Sequence, residues 1–281
     1  AGVRAGHAFT IATFHTARGD FARAIPHFDR ALAIADSFAD RGIGVDYRLN
    51  KGRALSRMGL MADAERILRE GLRLSAGTNL TYTRAELWHN LSHTHEGTGA
   101  MALAVAASDS FVALASLLDR EPIRIISRRV AGLLRLNLGW HAAAHAQFDA
   151  MVRLIDAERQ NHHWAGEYYE RVGNTRAALR FYQRGVALDG GERSLNLAGL
   201  ARMYEALGFT DSAAAAARAH DAFVRSATEV RLTPDVLSRA GRHADAIRIA
   251  QRWARQRETG ENVHGAAIAR LQTARILLAA N

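Results

Sequence analysis

Residues 164–188 read WAGEYYERVGNTRAALRFYQRGVAL. A small residue (Gly166) stands three before an aromatic one (Tyr169). A glycine (Gly173) follows, and then an alanine (Ala178) four before a second aromatic (Tyr182). Apolar residues at three- and four-residue spacing on both sides of a glycine describe two amphipathic helices joined by a turn. Working outward, Gly173 is one of a series. Gly19, Gly59, Gly99 and Gly139 stand 40 residues apart, and Gly173, Gly208 and Gly241 follow at spacings of 34, 35 and 33. Five residues after each glycine comes an alanine: Ala24, Ala64, Ala104, Ala144, Ala178, Ala213 and Ala246. Seven before it the residue is small in six cases (Ala12, Gly52, Ser92, Gly132, Gly166, Ala201), the seventh being Pro234. Nine after it come Phe28, Leu68, Ser108, Phe148, Tyr182, Ala217 and Ala250, a column that thins at the third, sixth and seventh repeats. A period of this length is the signature of a repeat architecture.

Each repeat predicts an antiparallel helix pair, with small residues where the helices cross and glycine ending the first helix in a left-handed turn. Another example is Leu49–Gly59 followed by Leu60–Leu74. Composition agrees: 56 of 281 residues are Ala and three are Pro, which favours helix throughout and argues against an all-β protein. Without Cys, disulfides, thiolate metal sites and thiol nucleophiles are excluded. With 48% hydrophobic and 23% charged residues the chain is expected to fold. No uncharged apolar run is long enough to cross a bilayer, Asp109 breaking the stretch Gly97–Leu118, and no secretory signal is visible. The protein is expected to be soluble and cytoplasmic.

The pattern resembles the tetratricopeptide repeat family over nearly the whole chain. ARGDFARAIPHFDRALAI in the first repeat and Trp88, Leu91 and Ser92 in LWHNLS carry the same spacing, and 40-residue repeats are similar to the longer bacterial variants. Two departures stand out. His15, His95 and Arg135 occupy the usually apolar place four before the glycine, and the family's proline at the end of the second helix is missing. The resemblance implies an all-α, right-handed solenoid: seven antiparallel helix pairs and a terminal capping helix, Val263–Ala280, as one continuous domain over 1–281. A bend is allowed near 157–163, where the spacing shortens, and the softest boundaries are Gln160–His163 and Gly190–Glu192. The first helix, Gly2–Ala17, lacks a polar cap, which suggests further chain ahead of it.

Catalytic signatures are missing: there is no Gly-rich phosphate loop, no G-x-S-x-G and no H-E-x-x-H, so no enzyme activity and no cofactor are expected. His89 with His93 and His141 with His145 have helical i, i+4 spacing, but a metal site needs more ligands, and none is assigned. Glu167 and Glu170 read as surface charge. Lys51 is the single lysine, so arginine carries the net charge of +9. Arg242, Arg248, Arg252, Arg255 and Arg257 surround Trp253, and such a stripe could bind nucleic acid. The alternative, favoured here, is a solvated face with Trp253 in the core.

In the resembled family the first helix of each pair lines a groove that receives a peptide. The matching positions are Asn50, Arg53 and Arg57, then His89, Asn90 and His93, then Arg129 and Asn137, then His163, Trp164, Glu167 and Arg171, and finally Arg202. Asn can hold peptide amides and Arg a carboxylate. The expected function is therefore a non-catalytic scaffold for an acidic peptide or protein segment, as the sensor or docking part of a larger protein. Nucleic-acid binding and a structural role in a multiprotein complex remain as alternatives, and the solvated side of the helices is the plain alternative for the groove residues.

Overall fold

The computed structural model describes residues 2–37, 41–158, 160–188, 192–223, 231–259 and 263–280. Gly190 and Gly191 of the second expected boundary, and Arg159 of the expected bend, lie outside them. All regular structure among the described residues is helical. Two compact units divide between Leu154 and Ile155. The first holds α1 (Gly2–Ala17), α2 (Phe21–Ala35), α3 (Arg41–Arg57), α4 (Met61–Leu74), α5 (Thr81–Gly97), α6 (Met101–Ser116), α7 (Glu121–Asn137) and most of α8 (His141–Glu158). The second holds α9 (His162–Arg171), α10 (Thr175–Leu188), α11 (Arg193–Ala206), α12 (Thr210–Asp221), α13 (Leu232–Arg239), α14 (His243–Thr259) and α15 (Val263–Ala280).

Every one of the seven repeat glycines ends the first helix of a pair with φ between +73° and +78°. The backbone explains why. The glycine N–H donates to the carbonyl three residues back, and the next N–H donates to the carbonyl four before the glycine, as Leu60 does to Leu55 and Trp140 to Arg135. This is the double bond pattern of a left-handed helix stop, which satisfies carbonyls that the helix leaves orphaned.

The crossing alanines behave as their spacing implies: all seven are exposed by 1% or less. The columns seven before and nine after the glycine face each other within a pair. A Cβ on Gly52 would come within 2.6 Å of Leu68, and one on Gly132 within 2.8 Å of Phe148. Gly166 stands in the same relation to Tyr182. Where the ninth position thins to Ser108, Ala217 and Ala250, each is fully buried, so the column stays closed.

Two of the three polar departures, His95 and Arg135, are buried too, while His15 is half-buried. His95 and Arg135 present their carbonyls to the turn and their side chains to the preceding helix. His95 Nδ1 lies 3.9 Å from Glu65, and Arg135 Nη2 donates to Asp109 at 2.6 Å. A charge at a core position is tolerable when it is paired at once. Pro234 falls in the first turn of α13, where a missing N–H costs nothing. Asn161 precedes α9 with φ 59°, a buried left-handed residue at the shortened repeat.

Candidate functional site

In the first unit α1, α3 and α5 lie side by side, and in the second α9, α11, α13 and α15 do. Contacts join α1 to α3 and α3 to α5, and separately α9 to α11, α11 to α13 and α13 to α15. On α5, Tyr82, Glu86, Asn90 and His93 share one face by helical spacing, and Asn50, Arg53 and Arg57 share one on α3. These two faces are joined. Arg53 bonds to the Glu86 carboxylate, and its Nε donates to Asn90 Oδ1 at 3.3 Å. Ser56 and Thr94 hydroxyls stand 3.0 Å apart, and Thr83 donates to Asp46 at 3.0 Å. Arg57 is exposed and enters no ion pair with a described carboxylate. His93 is exposed, with Nδ1 3.5 Å from Glu96, and Asn137 on α7 reaches that same carboxylate at 3.5 Å.

Beside this strip lies a cavity of about 330 Å³ between α5 and the start of α7, lined by Tyr82, Glu86, Arg120, Pro122, Ile123 and Ile126. The Arg120 guanidinium lies 4.7 Å from the Tyr82 ring centre. This cavity was not foreseen: its apolar residues sit two turns ahead of the small residue on which the repeat is recognised.

Three of the expected groove residues sit elsewhere on their helices. His89, Arg129 and His163 stand ten before their glycines, one residue away from the column of Asn50, Asn90 and Trp164. One residue is a rotation of about 100° on a helix, so that column turns inward, where Leu49 is buried. His89 stacks on Phe111 with ring centres 4.7 Å apart. Burial, with His93 and Arg53 nearby, pushes its imidazole down to about 3. His163 is buried, with Nδ1 2.8 Å from Glu192. Arg129 is half-buried. Trp164 and Glu167 are half-buried on α9, and Arg171 is exposed.

Arg202, expected as an open cation, is occupied. Its Nε and Nη2 grip Glu170 across from α11 to α9 at 2.7 and 3.0 Å, and the Tyr182 hydroxyl donates to the same carboxylate at 2.8 Å. Burial alone would raise the Glu170 carboxyl, but the hydrogen bonds from Arg202 and Tyr182 hold it below the usual range. One helix further on, Arg239 pairs with Glu205 in the same manner, its Nη2 at 3.0 Å. Glu96, Glu170 and Glu205 all stand three before a repeat glycine, and each reaches the next odd-numbered helix. Glu170, expected as surface charge, is instead half-buried and paired, and Glu96 and Glu205 were not singled out from the sequence. The column three before the glycine reads Thr16, Ser56, Glu96, Leu136, Glu170, Glu205 and Ser238, so glutamate recurs in three of seven repeats, a weak signal beside the alanines.

The remaining candidates resolve plainly. Among the described residues no three His, Asp or Glu side chains form a group able to hold a metal ion, and His89 and His93 meet each other, Nε2 to Nε2, at 3.1 Å. Trp253 is buried with Ala254 and Ala269, so its indole is not offered to bases. Arg242 and Arg248 both pair with Asp245, Arg255 is exposed, and the Arg257 side chain lies outside the described residues. No helix among the described residues is long and apolar enough to cross a membrane.

Stacked helix hairpins closed by identical glycine turns define an α-helical repeat protein. Residues 4–76 match the family model of the tetratricopeptide repeat, and the same turn and crossing columns recur to Gly241, so the fold is that of a tetratricopeptide repeat array. It is similar to a tetratricopeptide repeat protein from Parabacteroides merdae, with 13% identity over 98% of this chain and 99% of that one and a TM-score of 0.57. Against a STAND signal transduction ATPase with a tetratricopeptide repeat sensor from Pyrococcus horikoshii, identity is 13% and the TM-score 0.65, over 96% of this chain and 42% of that one. A Rap protein complexed with competence and sporulation factor gives 13% identity and a TM-score of 0.54, over 96% and 74%. At such identities the likeness carries the fold. No curated protein matches the chain.

Proposed function

We propose that this protein is a non-catalytic scaffold whose first unit binds an acidic peptide or protein segment along α3, α5 and α7. The observation that carries the reading is a polar strip ending at an apolar cavity: Asn50, Arg57, His93 and Asn137 on one side, Tyr82 and Ile126 on the other. A segment with an apolar side chain for the cavity and a carboxylate for Arg57 fits both, since an apolar anchor supplies affinity and a charge-assisted contact fixes register. Glu86 and Glu170 already neutralise Arg53 and Arg202, which leaves Arg57, and Arg171 in the second unit, as exposed cations among the expected groove residues. The Rap protein in complex with competence and sporulation factor shares the fold, which supports ligand binding on such an array.

A displayed library of random twelve-residue peptides selects a ligand, and fluorescence anisotropy then measures it against variants. Arg57→Glu and Tyr82→Ala are each expected to weaken binding about tenfold or more. The pair Arg66→Glu and Arg69→Glu on α4 changes the net charge without touching the strip and is expected to leave affinity within about threefold. Equal loss in both sets would sink the assignment, as would selected peptides with neither an acidic nor an apolar preference.

A further inference from the structure

The second unit contains a cavity of about 520 Å³, within the range of small-molecule sites, where the end of α12, the start of α13 and the far half of α14 meet. Three arginines from three segments line it: Arg218 on α12, Arg231 just ahead of α13 and Arg252 on α14. None of the three is in an ion pair with a described carboxylate, unlike Arg48, Arg135, Arg202 and Arg239. The one acidic residue in the wall, Asp221, is spent otherwise. Its two oxygens accept the backbone N–H groups of Leu232 at 2.8 Å and Thr233 at 3.1 Å, which caps α13. Its other neighbour, His220, adds a donor on the same carboxylate at 3.3 Å.

The wall is also built to hold its cations in place. Arg231 is half-buried, its Nε lacks a hydrogen-bond partner, and its guanidinium lies 5.7 Å from the ring centre of buried Trp253. Gln272 of α15 donates to the Arg231 carbonyl at 2.7 Å, fixing the backbone beneath it. A half-buried guanidinium with an unused donor, two more cations in the same wall and a carboxylate engaged by backbone N–H groups make a site whose charge no described carboxylate answers.

We infer that this cavity binds a small phosphate-bearing ligand, its anionic oxygens held by Arg218, Arg231 and Arg252. The site lies apart from the α3–α5–α7 strip, and either reading can fail without the other. Two sources share this chemistry, free pyrophosphate and a nucleotide. Isothermal titration calorimetry of the full chain in 150 mM salt, roughly physiological ionic strength, with pyrophosphate, ATP and adenosine as separate titrants distinguishes them. Saturable one-to-one binding of pyrophosphate or ATP is expected. A tighter ATP constant assigns a nucleotide, and equal constants assign the phosphates alone. Arg231→Gln and Arg252→Gln are each expected to weaken binding about tenfold or more, while Arg66→Gln with Arg69→Gln leaves it unchanged. Arg252 is exposed, so its variant reports on the site even if Arg231→Gln unfolds. No saturable heat with either phosphate compound overturns the proposal, and so does equal loss in the control pair. It is likewise overturned if a fluorescent single-stranded oligonucleotide binds with affinity that grows with its length and pyrophosphate fails to displace it.

Discussion

Tyr182 occupies the space in which Gly166 would carry a Cβ, and Gly199 of the following pair presses on the same ring from the other side. A rigid ring between two bare backbones cannot yield to an added methyl. Gly166→Ala is therefore expected to cost about 1–3 kcal/mol in urea denaturation, and distinctly less in a Tyr182→Leu background. Additive losses would mean that the ring and the glycine do not constrain each other.

Ala178 tests the register of the whole array. It is fully buried at the hairpin crossing, so Ala178→Leu forces three extra carbons into a closed contact. A loss of about 1–3 kcal/mol is expected by the same assay. A change below about 0.5 kcal/mol would place the crossing elsewhere.

Arg48 is the most enclosed cation of the first unit, its guanidinium divided between Asp36 at 2.7–2.8 Å and Glu70 at 2.9 Å. Replacing it by Met exchanges a desolvated charge for an apolar side chain and is expected to change stability by less than about 1 kcal/mol. Removing both carboxylates instead strands the charge. Asp36→Ala with Glu70→Ala is expected to cost about 2–3 kcal/mol, below the figure for fully buried pairs because both acids are partly exposed. Thermal unfolding at pH 7 orders the two variants, and the reverse order would refute the argument.

Acid sensitivity follows from His89. Its imidazole is held down to about 3 in the fold, so the unfolded chain binds the extra proton between that value and the ordinary one near 6.5. Its contribution is complete above about pH 6.5 and is lost as the pH falls, at up to about 1.4 kcal/mol per pH unit. His89→Gln is expected to reduce the slope of the stability curve between about pH 6 and pH 4, leaving the part that comes from His95, whose imidazole is also pushed down by burial. Parallel curves for the two proteins would show that the ring is not sequestered.

At the strip, Arg53 already has Glu86 as its counter-ion. Glu86→Gln is thus expected to raise affinity for the selected acidic peptide about threefold to tenfold, because it releases a cation without moving it. Anisotropy titrations of the variant that showed weaker binding would place Glu86 in direct contact with the peptide.

The fold was legible because hairpin crossings tolerate few residue types, so Ala178 and its six equivalents repeat almost without exception. Half of the strip was legible for the same reason, since Asn50, Arg53 and Arg57 sit at fixed distances from Gly59. His89 and His163 were misplaced because polarity was taken as exposure, while a single residue of phase separates the outer strip from the inner column. The partners of Arg53 and Arg202 were invisible from each helix alone. They come from the neighbouring hairpin, 33 and 32 residues away in the chain.

The turns at the seven glycines close on their own backbone, each drawing its hydrogen bonds from the five or six residues around it. A junction of that kind does not depend on what is stacked before or after it. The gene can therefore gain or lose material in quanta of one hairpin, and every new copy arrives with its own finished corner. What such a copy lacks is only the side chain that answers its neighbour, so interfaces, rather than turns, set the pace at which an array of this type can change its length.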